Sequence, residues 1–175
     1  MADEEIVPEV TFRINSDRDT SMCIRKDMIL DLVDMLKDIK KANGYNQDII
    51  SNTVWRLDDF MTNELPGNMV FASESEETTL PGSLDHTMTI TFAHINADGK
   101  KTGLTLLDGA QDILTVFGKV REDGKRFVDT FCSKYPLSQP PEFISTATGL
   151  EAKRKTEGEI DVVIEVKYKS ALWSL

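Results

Sequence analysis

The pattern of apolar and polar positions divides the chain into alternating helical and extended stretches. In "CIRKDMILDLVDMLKDIKKANG", Ile24, Met28, Leu32, Met35, Leu36 and Ile39 recur at helical spacing. Arg25, Asp27, Asp31, Asp34, Lys37, Asp38 and Lys41 fill the opposite side, so the spacing predicts an amphipathic helix. Thr20 or Ser21 is placed to cap its start, and Asn43-Gly44 to end it, because glycine takes the left-handed conformation cheaply. "NTVWRLDDF" and "GNMVFAS" then read as two strands around a turn at Pro66-Gly67, with Trp55 as a core or interface aromatic. "HTMTITFAH" alternates strictly. His86, Met88, Ile90, Phe92 and His94 share one face and Thr87, Thr89, Thr91 and Ala93 the other, as a half-buried strand requires. Asp98-Gly99 supplies a turn signal.

"GLTLLDGAQDILTVFGK" predicts a second helix with Leu107, Ala110, Ile113, Leu114 and Phe117 as its apolar stripe. "RFVDTFCSKY" has no assignable period, and "YPLSQPP" reads as an irregular connector. "EFISTATGLEAKR" and "EIDVVIEVKYKS" form a predicted hairpin around "KTEG". In its second strand Ile160, Val162, Ile164, Val166 and Tyr168 share a face, with Glu159, Asp161, Glu165, Lys167 and Lys169 opposite. "SESEETTLPGS", with Glu74, Glu76 and Glu77, is too hydrophilic to pack and reads as a mobile acidic loop. The predicted fold class is therefore α+β: one small mixed or antiparallel sheet of four to six strands, flanked by two main helices. Residues 1–22 form a polar arm with one β-like piece, "EVTFRIN", and 23–175 a single domain.

Composition narrows the chemistry. The 175 residues fit one domain. With 30 acidic and 20 basic residues, the net charge of −10 repels a nucleic-acid backbone on average. The run Lys153-Arg154-Lys155 reads as a solvated hairpin edge. Cys23 and Cys132 are too few and too far apart for a disulfide framework. No apolar run approaches the ~20 residues of a membrane helix, and the acidic "MADEEIVPEV" lacks the blocks of a signal peptide. A soluble protein of a reducing cytoplasm is expected.

One motif invites a catalytic reading. Asp161 followed by Glu165-Val166-Lys167 echoes the acidic-residue and E-x-K core of metal-dependent nucleases. On an extended strand, however, Asp161 and Glu165 stand about 13–14 Å apart, at ~3.4 Å per residue. Two ligands of one ion must each lie within roughly 2.0–2.6 Å of it. An upstream residue such as Asp129 would have to complete the site. His86 and His94, about 27 Å apart on a regular strand, cannot act as a pair. No nucleophile elbow, phosphate loop or dinucleotide glycine pattern occurs.

"DLVDMLKDIKKANGYNQDI" followed by "ELPGNMVF", then "TMTITFAH", "LDGAQDILTVF" and the closing "TEGEIDVVIEVKYKS", resembles bacteriophage tail-terminator (tail-completion) proteins over roughly residues 24–170. The resemblance implies a virion subunit, made in the host bacterial cytoplasm, that assembles into a ring, usually a hexamer. The ring would cap the tail tube, stop its polymerisation and join it to the neck or head connector. DNA would pass through without specific binding, and no catalysis, metal, cofactor or membrane would be involved. The alternatives are another neck or head-completion component, or a divalent-metal nuclease using Glu165 and Lys167. The apolar terminus Leu172, Trp173 and Leu175 is the candidate subunit interface, since a buried tryptophan is a common interface anchor; the same residues would equally serve the chain's own core.

Overall fold

The structure, a computed structural model, describes residues 20–54, 65–80, 83–97, 102–149 and 158–171. The elements in order are α1 (Thr20–Leu36), a 3-10 turn (Lys41–Asn43), β1 (Ser51–Val54), β2 (Gly67–Leu80), β3 (Ser83–Asn96), α2 (Thr102–Gly118), α3 (Phe127–Lys134), β4 (Glu142–Gly149) and β5 (Gly158–Ala171). The strands form one mixed sheet in the order β1-β2-β3-β5-β4. Among the described strands only the β1–β2 pair is parallel. This is an α+β fold with a five-stranded sheet, as the residue pattern predicts.

The long strands β3 and β5 show why alternation was informative. His86, Met88, Ile90, Phe92 and His94 of β3 are all buried, as are Ile160, Val162, Ile164, Val166 and Tyr168 of β5. Met28, Leu32 and Leu36 of α1, Leu106, Ile113 and Val116 of α2, and Phe127 and Phe131 of α3 join the apolar members of that face in one core cluster. Each fully buried aliphatic or aromatic side chain contributes ~1.5–3 kcal/mol relative to an exposed one. An aromatic chain, Phe92, Phe117, Phe127, Phe131 and Tyr135, ties α2 and α3 to the sheet through successive ring contacts of 4.9–5.9 Å. The opposite sheet face carries half-buried Thr87, Thr89, Thr91, Asp161, Glu165 and Lys167.

Four expectations are corrected. The first helix stops at Leu36, short of Asn43-Gly44. Beyond it Lys37, Asp38 and Ile39 bond to carbonyls three residues back, which tightens the last turn. Gly44, at φ 81, ends the 3-10 turn instead. Thr20 and Ser21 fall within α1, and their side chains lie outside the described residues. Second, "NTV" and "GNMVFAS" are parallel neighbours, so no tight turn joins them; parallel strands need a longer crossover. Third, the apolar stripe of α2 runs through Leu106, with Ala110, Ile113 and Val116, while Leu107 is 55% exposed. Leu106 and Leu107 both lie within a helical turn of Ala110, so spacing alone does not choose between them. The buried Gly109 does, one turn from Leu106 on the same face. Fourth, the expected acidic loop is strand as far as Leu80: β2 and β3 pair from Gly67↔Ile95 to Leu80↔Ser83, with one shift of register between Thr78 and Leu80. "RFVDTFCSKY" supplies the unassigned α3. Trp55, Asp98-Gly99, the "KTEG" turn, the basic run at 153–155 and the N-terminal arm up to residue 19 lie outside the described residues.

Candidate functional site

Two polar clusters interrupt the covered face of the sheet, one at each end. The first forms where inward positions of β2, β3 and β5 turn polar. Glu74 follows Val70 and Ala72 on the inward side of β2, opposite Met88 of β3. Its buried carboxylate accepts from the Arg25 guanidinium of α1 at 2.6 Å and from the Tyr168 hydroxyl of β5. His86 lies directly across from Tyr168, their rings stacked at 4.5 Å and 6°. His86 Nδ1 is 3.4 Å from Glu74 Oε1, and Nε2 is 2.7 Å from Ser170 Oγ.

Serine, histidine and carboxylate thus stand in the order of a nucleophilic triad. The geometry differs in two respects. The histidine–carboxylate separation exceeds the ~3.2 Å limit of a good N–H···O bond. The carboxylate oxygen nearest the ring already takes the Tyr168 hydroxyl. With its other oxygen on Arg25, Glu74 links α1 to β2 and β5. The cluster's evident work is to hold helix and sheet in one arrangement around a buried charge.

The second cluster lies at the opposite end. Asn68 Nδ2 donates to Asn52 Oδ1 at 2.9 Å, so Asn68 Oδ1 faces His94 Nδ1 at 2.8 Å as an acceptor. His94 therefore carries its proton on Nδ1. Nε2 is buried with no hydrogen-bond partner among the described residues and packs against Gly109 of α2. A Cβ at Gly109 would overlap both Cδ2 and Nε2 of that ring. Burial lowers the His94 pKa to about 4, because desolvation disfavours the imidazolium.

Nearby, Asp112 of α2 accepts the backbone N–H groups of Asn46 and Gln47 at 2.9–3.1 Å and Asn46 Nδ2 at 2.9 Å. Burial raises its pKa, against the amide bonds that pull it down. Gln47 also accepts from Asn96 Nδ2 at 2.9 Å and donates to the Thr105 carbonyl. The loop after α1 is thereby pinned to α2 and β3.

A surface groove of about 600 Å³ opens beside this loop, lined in part by Asp38, Tyr45, Lys119 and Arg121. Two of its cations are held by neighbouring groups. Arg121 bonds Asp38 at 2.5 Å, while the Lys119 ammonium sits 4.2 Å over the Tyr45 ring and bonds the Asn43 carbonyl.

The E-x-K residues do not converge on a metal site. Lys167 Nζ bonds Glu165 at 2.9 Å along the same strand face. Asp161, its pKa raised by burial, lies four residues away on that strand. Asp129 sits on α3, held by Arg126 at 2.7–2.8 Å. Among the described residues no three His, Cys, Asp or Glu side chains are grouped to hold a metal ion.

The expected site residues fall unevenly. Glu74 is the buried hub just described. The side chains of Glu76 and Glu77, on β2, lie outside the described residues, and so do Leu172, Trp173 and Leu175. What residue-type reasoning missed is the grouping of Glu74 with His86. The available signal was parity: Glu74 occupies the same face of its strand as Val70.

The last feature is the sheet edge. Among the described residues β4 pairs with β5 on one side only, with a bulge between Phe143 and Ser145. Residues 142–147 are exposed throughout, including Phe143 at 54% and Ile144 at 51%. No protein-family model matches this sequence, and no curated protein is significantly similar to it.

Proposed function

We propose that the chain is a structural assembly subunit of the tail-terminator type. Copies form a closed ring, a hexamer in the simplest case, that caps a phage tail tube and joins it to the neck. The protein is made in the bacterial cytoplasm and resides in the virion, where DNA passes through the ring without specific contacts. It works without catalysis or cofactor. The element order of helix, strands, helix and terminal hairpin supports this reading. The observation that carries it is β4, an edge strand among the described residues, exposed over 142–147 and bearing two large apolar side chains. Monomers blunt such an edge with charge, proline or a covering element. Within "EFISTATG" the sole charge is Glu142, and among the described residues the edge is blunted only by the bulge and by Pro140-Pro141 just before it.

Analytical ultracentrifugation and electron micrographs of the purified protein test the proposal. A single species of several subunits, seen as rings, is expected. A monomer at every concentration overturns it.

A further inference from the structure

We propose that neighbouring copies meet strand to strand, the β4 edge of one subunit pairing with the β1 edge of the next. This rests on the assembly reading above and names its contact. Among the described residues the sheet ends at β1 on one side and β4 on the other. Each end offers a row of backbone N–H and C=O groups, which is a template for another strand.

Each edge also carries an apolar pair. Phe143 and Ile144 stand on β4, 54% and 51% exposed, and Ile50 and Val54 bracket β1, 63% and 40% exposed. Charge points to a second copy as the occupant. The chain carries −10 overall, so two copies repel wherever acidic surfaces face each other. Ser51–Val54 has no charged residue and Glu142–Gly149 has one. Two copies that meet along these two edges set no like charges of the strands against each other.

The choice of β1 for β4 follows from closure. Pairing β4 with β4 makes a two-fold dimer and leaves both β1 edges bare. Pairing β4 with β1 uses two different surfaces of every copy. Repeated around an axis it closes a ring, as heterologous contacts do when the rotation permits. The contact would carry the sheet of one subunit into the next.

The test uses the full chain with Cys23→Ser and Cys132→Ser. Thr53→Cys on β1 and Thr146→Cys on β4 are made separately, and a flexible bismaleimide tolerates a shift in register. Co-expressed variants are expected to give a cross-linked dimer, and each variant alone none. Dimer from Thr146→Cys alone means β4 pairs with β4, and overturns the proposal. Rings that give no cross-link in any combination overturn it too, but leave the assembly reading standing. A monomer in every preparation defeats both. As an independent arm, Phe143→Lys with Thr146→Lys is expected to abolish the ring species while far-ultraviolet circular dichroism stays unchanged. Rings persisting in this variant count against the contact.

Discussion

His86 and His94 occupy the same face of the same strand, eight residues apart, and their surroundings could hardly differ more. His86 sits in a charged end of the core, stacked on Tyr168, with Ser170 on one nitrogen and the Glu74 carboxylate near the other. His94 itself faces neutral groups, with an amide on one nitrogen and Gly109 against the other. The first end is held by a buried charge and its partners, the second by fit. Loss of a partner hurts a charged network in proportion to what is left unpaired. Loss of fit hurts in proportion to volume. The two ends should therefore fail under different perturbations.

The largest effect is expected at the fitted end. Gly109→Val puts a branched side chain where a single Cβ already overlaps His94, and β3 and α2 must separate to admit it. Urea unfolding should show a loss of about 3 kcal/mol, at the upper end of overpacking costs. Gly118→Ala on the same helix meets nothing within 4 Å and should be neutral or stabilise by up to about 1 kcal/mol. Equal effects at the two glycines would dissolve the argument from fit.

Acid should find the same end. His94 has its pKa lowered to about 4 in the fold, against ~6.5 in an unfolded chain. Above the unfolded value both states are neutral and the histidine makes no difference. As pH falls below it, the unfolded chain takes up a proton that the fold refuses, so stability declines. By pH 4 the decline attributable to this group is about 3 kcal/mol, at 1.36 kcal/mol per unit. Asp112, whose pKa is raised, works in the opposite sense: its share of stability is present in acid and lost as pH rises through its folded pKa. Chemical denaturation from pH 7 to 4 should give a shallower slope for His94→Asn than for the parent. Parallel slopes would mean that His94 titrates in the fold as it does in the unfolded chain.

At the charged end, Glu74→Ala removes the common acceptor of Arg25 and Tyr168. A cost of about 1–3 kcal/mol is expected, the range for leaving buried polar partners unsatisfied. Glu74→Gln keeps the shape and an acceptor oxygen and should cost less. Added salt should weaken the parent little, since a buried carboxylate is poorly screened. A glutamine variant as damaged as the alanine variant would show that charge, rather than hydrogen bonding, holds this end.

The same contrast explains which parts of the molecule were readable from residue types. β3 and β5 announce themselves because each has one face buried along most of its length, and a period of two follows directly. β2 does not. Its inward positions run Asn68, Val70, Ala72 and Glu74, so the buried face changes from apolar to acidic in mid-strand, and hydrophilicity there imitates a loop. The polarity is balanced by Arg25 and Tyr168, 49 and 94 residues away in sequence. No local pattern carries that pairing. The phase of α2 was unreadable for a related reason. Gly109 and His94 are complementary only once helix and strand are in contact. The parallel pairing of β1 with β2 is likewise a tertiary fact, which the short spacing from "NTV" to "GNMVF" obscures.

The smallest effect is expected at Ser170, and it sharpens what the charged end is for. Ser170 Oγ lies 2.7 Å from His86 Nε2, the distance a serine nucleophile keeps from its base. If the cluster serves structure, Ser170→Ala removes one hydrogen bond at a partly exposed position, where water can take the vacated place. The cost should stay within about 0.5 kcal/mol. If it serves chemistry, His86 must accept the serine proton and Glu74 must steady the resulting imidazolium. But Glu74 already accepts from Arg25 and the Tyr168 hydroxyl, and its oxygen lies 3.4 Å from His86 Nδ1. A serine activated so weakly should react with a fluorophosphonate no faster than other surface serines. Intact-mass analysis after incubation with the reagent decides the matter. An adduct that maps to Ser170 in the parent, and is lost in both His86→Gln and Glu74→Gln, would convert the charged end from a clamp between helix and sheet into a reactive site.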